Sequence, residues 1–220
     1  MNKFSRKDFN GQVYKSRNNG DFIVVKYNGY RSVAIKFLAT GYEAVTRSTC
    51  VRDGTVKDRL WPNVCDIGYV GVGRHEVSTK GAVTKSYKVW TSIIRRCYSP
   101  KSLEDSPTYK NCTVAKEWLC FQVFADWFES NYIEGYHIDK DILQPGVGNK
   151  VYSANTCLFV TKVENTIEAH AKHWLFKFPN GVIKQIYNLA EFCRDNNFCP
   201  TEMRRLHIGE IPSYKGFVKV

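Results

Sequence analysis

The sequence predicts an α+β fold in which β-rich and helical segments follow one another along the chain. Apolar and polar residues alternate through residues 21–53, and β-branched and aromatic side chains are frequent there. In the middle of the chain Trp90, Ile93, Ile94 and Cys97 recur at the spacing of one helix face. The C-terminal segment combines a second alternating pair of short segments with two short helical patterns.

The first segment, residues 1–74, is predicted to be a small basic β module. Alternation in residues 32–38 places Val33, Ile35 and Phe37 on one face of a strand. The dipeptides Asn28-Gly29 and Asp53-Gly54 predict tight hairpin turns, since both residue types tolerate positive φ. A three-stranded ribbon with a basic face could lie in a DNA groove through Lys26, Arg31 and Lys36. The alternative is an ordinary β module with a solvated face.

The second segment, residues 75–172, begins with helical patterns. The helix around Trp90 carries Arg95 and Arg96 on the side opposite its apolar residues. A longer helix is predicted from Thr113 to about Tyr132, with Asn111 or Thr113 as its N-cap. Its aromatic stripe indicates core packing rather than a cofactor site.

Two strands and a helix are predicted in the rest of this segment. In residues 137–143 alternation places His137, Asp139 and Asp141 on one strand face. A loop over 145–149, a strand over 156–161 and a helix over 162–172 follow. Polar residues at the strand end and in the helix make this a small scaffold that could hold one metal ion.

The third segment, residues 173–220, is predicted to form a β-hairpin, two short helices and a final loop. Asn180-Gly181 joins the two strands. The helices cover 189–196 and 201–208, with Asn188 and Thr201 as caps. Two short helices joined by a turn have the proportions of a helix-turn-helix, which would face DNA with Arg204 and Arg205, and Lys215 is a further predicted contact.

The charge distribution indicates a polyanionic partner, and double-stranded DNA is the one predicted. The 220 residues carry a formal charge of +11. Residues 1–74 contain thirteen basic and six acidic residues, residues 75–165 contain eleven and ten, and residues 166–220 contain eight and five. The excess positive charge therefore lies in the two flanks, as expected if the flanks hold phosphates.

Several classes of protein are disfavoured by the sequence. No apolar stretch has the roughly 18 residues of a membrane span, so no membrane partner is expected. Residues 1–14 contain no apolar run of the secretory kind, and we expect the chain to stay in the cell that makes it. The eight cysteines form no CxxC pair, which disfavours zinc, and reduced thiols are expected.

Residues 136–165 resemble the ββα-metal core of HNH endonucleases, in the form found in phage homing endonucleases. The resemblance is carried by HIDKDILQPGVGNKVYSANTCLFVTKVENT, in which Asn155 and Asn165 follow Asp139 at +16 and +26. The preceding helical segment and the C-terminal segment 187–217 are similar to the helical leader and the helix-turn-helix appendages of such proteins. The N-terminal segment is reminiscent of three-stranded AP2-like modules.

The resemblance implies the roles of the site residues. Asp139 and Asn165 would bind Mg²⁺ or Mn²⁺, and Asn155 would brace the loop beside the general base. Lys140 stands where the family has its base histidine, and a protonated lysine cannot accept a proton from water. His137, which lies two residues earlier, is one possible substitute, and Asp141 is another acceptor on the same strand face. Asn149 and Lys150 in the loop are predicted phosphate contacts.

The expected function is a phage-type homing or nicking endonuclease, acting in the cytoplasm of the infected host cell. Lys140 leaves three outcomes open, which are an unusual base, a shifted register, or a nuclease fold that binds DNA without cutting it. An inactive DNA-binding or regulatory protein is therefore the main alternative. A phage protein that binds a host protein is the third. The recognition sequence, the strand cut and the oligomeric state do not follow from the sequence.

Overall fold

The computed structural model of the protein describes residues 9–170 and 172–220, with side chains described outside residues 167–170. The predicted α+β class is confirmed, because seven α-helices and several small sheets occur among these residues. The helices are α1 (Ser48–Asp53), α2 (Lys85–Tyr98), α3 (Pro100–Asp105), α4 (Phe121–Asn131), α5 (Lys162–His170), α6 (Leu189–Asp195) and α7 (Pro200–Ile208). The strands are β1 (Val13–Lys15), β2 (Asp21–Tyr27), β3 (Val33–Phe37), β4 (Glu43–Thr46), β5 (Ser78–Thr79), β6 (Ala82–Val83), β7 (Thr113–Val114), β8 (His137–Asp139), β9 (Val151–Tyr152), β10 (Leu158–Val160), β11 (His173–Lys177), β12 (Ile183–Tyr187), β13 (Ser213–Tyr214) and β14 (Phe217–Lys219).

The chain divides into two compact units. The first contains the chain up to Tyr132 together with Leu143–Cys157, and the second contains Ile133–Ile142 and Leu158–Val220. The N-terminal sheet and the helices α2 to α4 thus belong to one unit. The three functional segments 1–74, 75–172 and 173–220 stay a prediction, since a division by backbone contacts does not test which segment binds DNA.

Strands β1 to β4 form one antiparallel sheet in chain order, so the N-terminal ribbon has four strands rather than the three predicted. The predicted inward face of β3 is confirmed, because Val33, Ile35 and Phe37 are buried. They pack with Phe22 and Val24 of β2 in one apolar core. Burial on one face of the sheet leaves the other face exposed to solvent, which is the usual state of an antiparallel sheet.

The predicted hairpin turn at Asp53-Gly54 is wrong, because these residues end helix α1. Gly54 adopts the left-handed conformation with φ of +63°, and its N–H donates to the carbonyl oxygens of the last helical turn. A Cβ at this position would lie 2.6 Å from the backbone oxygen of Lys15. A C-terminal glycine serves a helix end as well as a hairpin, so the dipeptide alone does not distinguish them.

Helix α2 confirms the predicted apolar face around Trp90. Trp90, Ile93, Ile94 and Cys97 are all buried, and α2 packs against α4. The indole Nε1 of Trp90 donates to the carbonyl oxygen of Trp118 at 2.7 Å. This buried hydrogen bond connects the middle of α2 to the segment before α4.

The long helix predicted from Thr113 to Tyr132 is wrong in its first third. Thr113–Val114 form β7, which pairs in parallel with β9, and a 3₁₀ turn at Lys116–Leu119 follows. Helix α4 begins only at Phe121, with Cys120 as its N-cap. The pairing of β7 with a strand almost forty residues later overrides the local helical pattern.

In the second unit, β8 pairs with β10 and α5 follows directly. The predicted helix 162–172 is observed as Lys162–His170, and residue 171 lies outside the described residues. The rest of the unit is a four-stranded antiparallel sheet in the order β12-β11-β14-β13, on which α6 and α7 pack. Their shared apolar core contains Phe176, Ile186, Leu189, Cys193, Met203, Leu206 and Phe217.

The C-terminal elements confirm one predicted cap and correct another. The side chain of Asn188 accepts from the backbone N–H of Glu191 and so caps α6 as predicted. Thr201 does not cap α7, because Cys199 is the N-cap and Pro200 occupies the first helical position. The predicted final loop is instead the hairpin of β13 and β14.

None of the helices in the described part of the chain combines the length and the apolar character that crossing a bilayer would require.

Candidate active site and basic surfaces

The candidate active site in the second unit is built on two antiparallel strands and one helix. In the β8–β10 ladder His137 lies opposite Val160, Ile138 opposite Phe159, and Asp139 opposite Leu158. Helix α5 begins two residues after β10 and packs against β8. The order strand, strand, helix is the one predicted for residues 137–170.

A capping box fixes the start of α5. The backbone N–H of Thr161 donates to Glu164 Oε2 at 2.8 Å, and the N–H of Glu164 donates back to Thr161 Oγ1 at 3.2 Å. These hydrogen bonds hold the pKa of Glu164 below its usual value, the backbone bond contributing most. Asn165 lies one residue further on, partly exposed, with its N–H bonded to the Thr161 carbonyl oxygen at 3.0 Å.

Asp139 is the last residue of β8 and is 5% exposed. Its Oδ1 accepts from the backbone N–H groups of Asp141 at 2.7 Å and of Ile142 at 2.9 Å. This local turn ends the strand, so the predicted extension of the alternating face to Asp141 is wrong. A short acidic side chain that bonds the next backbone amides competes with strand pairing, as Asp does in turns.

Lys140 is buried beside an acid. Its side chain is 8% exposed, and Nζ lies 2.8 Å and 2.9 Å from the two carboxylate oxygens of Asp141. An ammonium group in such a pair has no lone pair with which to take a proton from water. Lys140 therefore has a structural explanation that does not require it to act as a base.

The other predicted catalytic residues lie in two places. His137 is exposed on β8, two residues before Asp139. Asn155 belongs to the first unit, where it is exposed in the turn after β9. Thr156 stabilises that turn by donating to the Val151 carbonyl oxygen at 2.6 Å. His137, Asp139, Lys140 and Asn165 are thus in one unit, and Asn155 is in the other.

The predicted phosphate contacts Asn149 and Lys150 also lie in the first unit. Asn149 is exposed, whereas Lys150 is half-buried next to β9. The Lys150 carbonyl oxygen accepts from the N–H of Thr113 at 3.0 Å and extends the β7–β9 pairing. Lys150 therefore has a structural role through its backbone, whereas the side chain of Asn149 is exposed to solvent.

The predicted basic residues of the N-terminal sheet are exposed. Lys26 and Lys36 lie on the solvent face, where Lys36 Nζ is 3.0 Å from Glu43 Oε1 in the neighbouring strand. Arg31 lies in the β2–β3 turn and stacks 5.1 Å from the ring centroid of Tyr30. This face is accessible, although Glu43 offsets part of its charge.

The predicted basic residues of the C-terminal elements differ in their contacts. Arg205 on α7 pairs with Glu202 at 3.1 Å and with Glu210 at 3.2 Å. Lys215 Nζ donates to the Asn197 carbonyl oxygen at 3.2 Å and stacks over the ring of Phe198. Arg204 is exposed on the same helix, with no ion pair among the described residues. Arg204 is consequently the predicted contact on α7 that is not engaged in an ion pair.

One group of metal-ligating residue types was not singled out from the sequence. His75, Asp126 and Glu129 place their ligand atoms within 4.8 Å of one another. Arg74, however, pairs with Asp126 at 3.1 Å and also with Glu129, and His75 Nε2 is 2.8 Å from Asp126 Oδ1. The hydrogen bonds from His75 and Arg74 hold the pKa of Asp126 below its usual value. The arginine already pairs with both carboxylates, so the group acts as an ion-pair network that holds residues 74–75 against α4.

A basic cleft in the first unit also escaped sequence reasoning. It has a volume of about 880 Å³ and is lined in part by Lys57, Arg59, Lys88 and Arg95. Only the helical spacing of Lys88 and Arg95 on α2 was visible in the sequence. Lys57 and Arg59 are thirty or so residues away along the chain, so no local pattern connects the two pairs.

Comparison of the chain with protein-family models, with curated proteins and with solved structures finds no match in any of the three.

Proposed function

We propose that the protein is a phage-type, HNH-like DNA endonuclease that hydrolyses a phosphodiester bond with the help of a divalent metal ion. The observation that carries the proposal is the order of β8, β10 and α5 with Asp139 at the end of the first strand. Whether the enzyme would act in homing or as a nicking enzyme depends on its target. Its place of action in this proposal is the cytoplasm of the infected host cell.

The donor set in the second unit suits a hard ion such as Mg²⁺ or Mn²⁺. Asp139 Oδ1 is occupied by two backbone amides, whereas Oδ2 has no hydrogen-bond partner among the described residues. Asn165 on α5 offers a side-chain amide oxygen. One carboxylate and one amide are enough for Mg²⁺, which keeps several water molecules. Such an ion would stabilise the charge that develops on the departing 3′-oxygen.

His137 is the general base in this proposal. Lys140 is paired with Asp141. Neither of these two residues is therefore as good an acceptor of a proton from water as His137. His137 is exposed on the strand that ends at Asp139, and a neutral imidazole can accept a proton at a ring nitrogen. Asn155 lies in the first unit and carries no step of this proposal.

Double-stranded DNA is the proposed partner. The exposed cations of the N-terminal sheet and Arg204 on α7 support it, together with the net charge of +11. Contacts of this kind are to phosphates, so they would position the duplex without selecting its sequence.

The proposal is tested by incubating supercoiled plasmid with the protein and Mg²⁺ or Mn²⁺, and measuring nicked and linear products. We expect the wild type to cut and Asp139→Asn to cut at least about a hundredfold more slowly, the scale of losing one electrostatic stabiliser. Asparagine is preferred to alanine because it still offers an oxygen to the N–H groups of Asp141 and Ile142, which alanine would leave unsatisfied. Asp195→Asn in the same unit is the matched control and should retain wild-type activity.

The general base has a separate readout. His137→Ala should lower the rate by about 10²–10⁴-fold, the usual contribution of a positioned base. If the wild type leaves plasmid intact with every divalent ion while still binding it, the endonuclease proposal fails. If Asp139→Asn cuts as fast as the wild type, the metal assignment fails.

A specific observation favours a second candidate, a DNA-binding or regulatory protein that keeps this scaffold without cutting. Lys140 is paired with Asp141, and one oxygen of Asp139 is used to end β8. Both side chains consequently have structural roles that need no metal. Binding to DNA without cleavage in the plasmid assay is the result that this candidate predicts.

A further inference from the structure

The basic cleft of the first unit lies between the polar face of α2 and the segment around residues 57–64. Lys88, Thr91, Ser92 and Arg95 are spaced at i, i+3, i+4 and i+7, so they form one stripe along the helix. The opposite stripe of α2 is the buried apolar face that contains Trp90. The helix is therefore anchored on one side and presents two cations and the Ser92 hydroxyl on the other, whereas Thr91 is buried and its hydroxyl donates to the Tyr87 and Lys88 carbonyl oxygens.

A second cavity of about 350 Å³ extends the cleft along α2. It shares Lys88, Thr91 and Arg95 with the larger cavity and adds Ser92, Arg96 and Ser102. Lys88 and Arg95 thus lie where the two cavities meet. The two together form one groove whose middle is basic.

The cations of the cleft are not neutralised by the acids beside them. Among the described residues, Lys57, Arg59, Lys88 and Arg95 have no ion pair. The lining acids are Asp58 and Glu76. Asp58 is 2% exposed, and its carboxylate accepts from Thr40 Oγ1 at 2.5 Å and from the N–H of Leu60 at 2.8 Å.

Asp58 therefore holds the local backbone rather than a neighbouring cation, and the cleft keeps a net positive charge. Glu76 is exposed at the surface, where water screens its charge. A cleft with low-dielectric walls and one sign of charge concentrates a counter-ion.

Tyr87 gives the cleft an aromatic wall. Its ring meets Phe121 edge to face at a centroid distance of 5.1 Å and lies 5.4 Å from Trp90, so the core holds its position. Burial raises the pKa of Tyr87, and the guanidinium of Arg95 partly offsets this effect. Tyr87 and Arg95 both line the cleft, so the same cavity contains an aromatic ring and a cation.

We propose that this cleft binds one nucleotide of a single-stranded segment, with Lys88 and Arg95 holding its phosphate and Tyr87 contacting its base or sugar. The volume suits a molecule of nucleotide size and excludes a duplex. An anionic group, a hydrogen-bonding sugar and a flat base match the cations, the Ser92 hydroxyl in the adjoining cavity and the aromatic ring. The inference rests on the proposed function only in taking DNA as the source of the nucleotide, and it requires no cleavage.

The test is binding of fluorescent oligo-dT to the full chain in EDTA, measured by anisotropy at several salt concentrations. Lys88→Ala/Arg95→Ala should weaken binding at least about tenfold and lower the slope of log K against log salt by about 0.7, as expected for the loss of one single-strand phosphate contact. The matched control Lys110→Ala/Lys116→Ala removes the same charge at exposed positions outside the cleft. It should leave the slope unchanged.

A charge-preserving variant and two competitors complete the design. Lys88→Arg/Arg95→Lys should keep the slope, which separates lost charge from a damaged fold. Competition by millimolar dTMP but not by equal inorganic phosphate would identify a free nucleotide as a ligand, and resistance to dTMP would identify the strand. Equal slopes for the cleft and control pairs, or no binding of oligo-dT by the wild type, would overturn the inference.

The result is independent of the plasmid assay. If the plasmid stays intact while the cleft variants change the slope of log K against log salt, only the endonuclease proposal is rejected. If the wild type cuts plasmid while the cleft and control variants bind oligo-dT equally well, only the proposed nucleotide binding in the cleft is rejected.

Discussion

Single residues in this protein show why a charge in the sequence does not identify a binding residue. Arg205 and Lys36 were both predicted DNA contacts, and both have acidic partners within the fold. Lys88 and Arg95 were not predicted contacts, and they have no ion pair among the described residues. The availability of a cation depends on its neighbours in space.

The same holds for the predicted catalytic residues. Asp139 was assigned to metal binding from its position in a motif, and the structure adds that it ends a strand through two backbone hydrogen bonds. The sequence shows that position 140 is a lysine, whereas only the structure shows that this lysine is buried beside Asp141.

At the residue scale, the network around Asp126 predicts a pH dependence of stability. Because the folded state lowers the pKa of Asp126, its contribution is present above the usual aspartate value of about 3.9 and is lost as the pH falls through the folded pKa. Asp126→Asn should therefore be less stable than the wild type at pH 7. The difference should shrink between about pH 4 and pH 2.

Urea midpoints at a series of pH values measure this effect. Asp105→Asn is the control, since its side chain has no ion pair among the described residues. A difference between Asp126→Asn and the wild type that stays constant down to pH 2 would contradict the assignment.

At the scale of elements, the local patterns succeeded where an element is held by residues next to it in sequence. The buried face of β3, the apolar stripe of α2 and the Asn188 cap were all predicted correctly. The local patterns failed where pairing with a distant chain segment determines the secondary structure. Residues 113–119 have a helical pattern, yet β7 pairs with β9 instead.

The capping box at the start of helix α5 is expected to stabilise that helix. Thr161→Ala removes the Oγ1 that accepts from the N–H of Glu164, which should cost about 1 kcal/mol and fray the turn that carries Asn165. Thr166→Ala on the same helix is the matched control. Its hydroxyl donates to the Lys162 carbonyl oxygen within the helix, so the change should be close to neutral.

Chemical denaturation gives the two free energies of unfolding. Equal losses for Thr161→Ala and Thr166→Ala would show that the capping box does not stabilise α5.

At the scale of the whole molecule, the described residues include two apolar cores that have no residue in common. One lies under the N-terminal sheet around Phe22, and the other lies between the C-terminal sheet and its two helices around Phe176. Each of these phenylalanines is fully buried. Hydrogen exchange can therefore examine the two cores separately.

Phe22→Ala should destabilise the N-terminal core by about 3–5 kcal/mol, the usual cost of deleting a buried phenylalanine. Amide protection should fall in β1 to β4 and persist in β11 to β14. Phe176→Ala should give the reverse pattern. Val45→Ala, at a position 68% exposed on β4, is the control and should change neither.

Uniform loss of protection across the chain in both phenylalanine variants would instead mean that the two cores unfold as one cooperative unit.

By itself the sequence determined the α+β class, the inward faces of β3 and α2, the hairpin at Asn180-Gly181 and the basic balance of the chain. Each of these depends on residues within a few positions of one another or on composition alone. The tertiary structure decided where β8 ends, that Lys140 pairs with Asp141, and that four cations from two distant segments share one cleft. These features depend on which groups meet in space, because burial and pairing set the energy of a charge or a hydrogen bond.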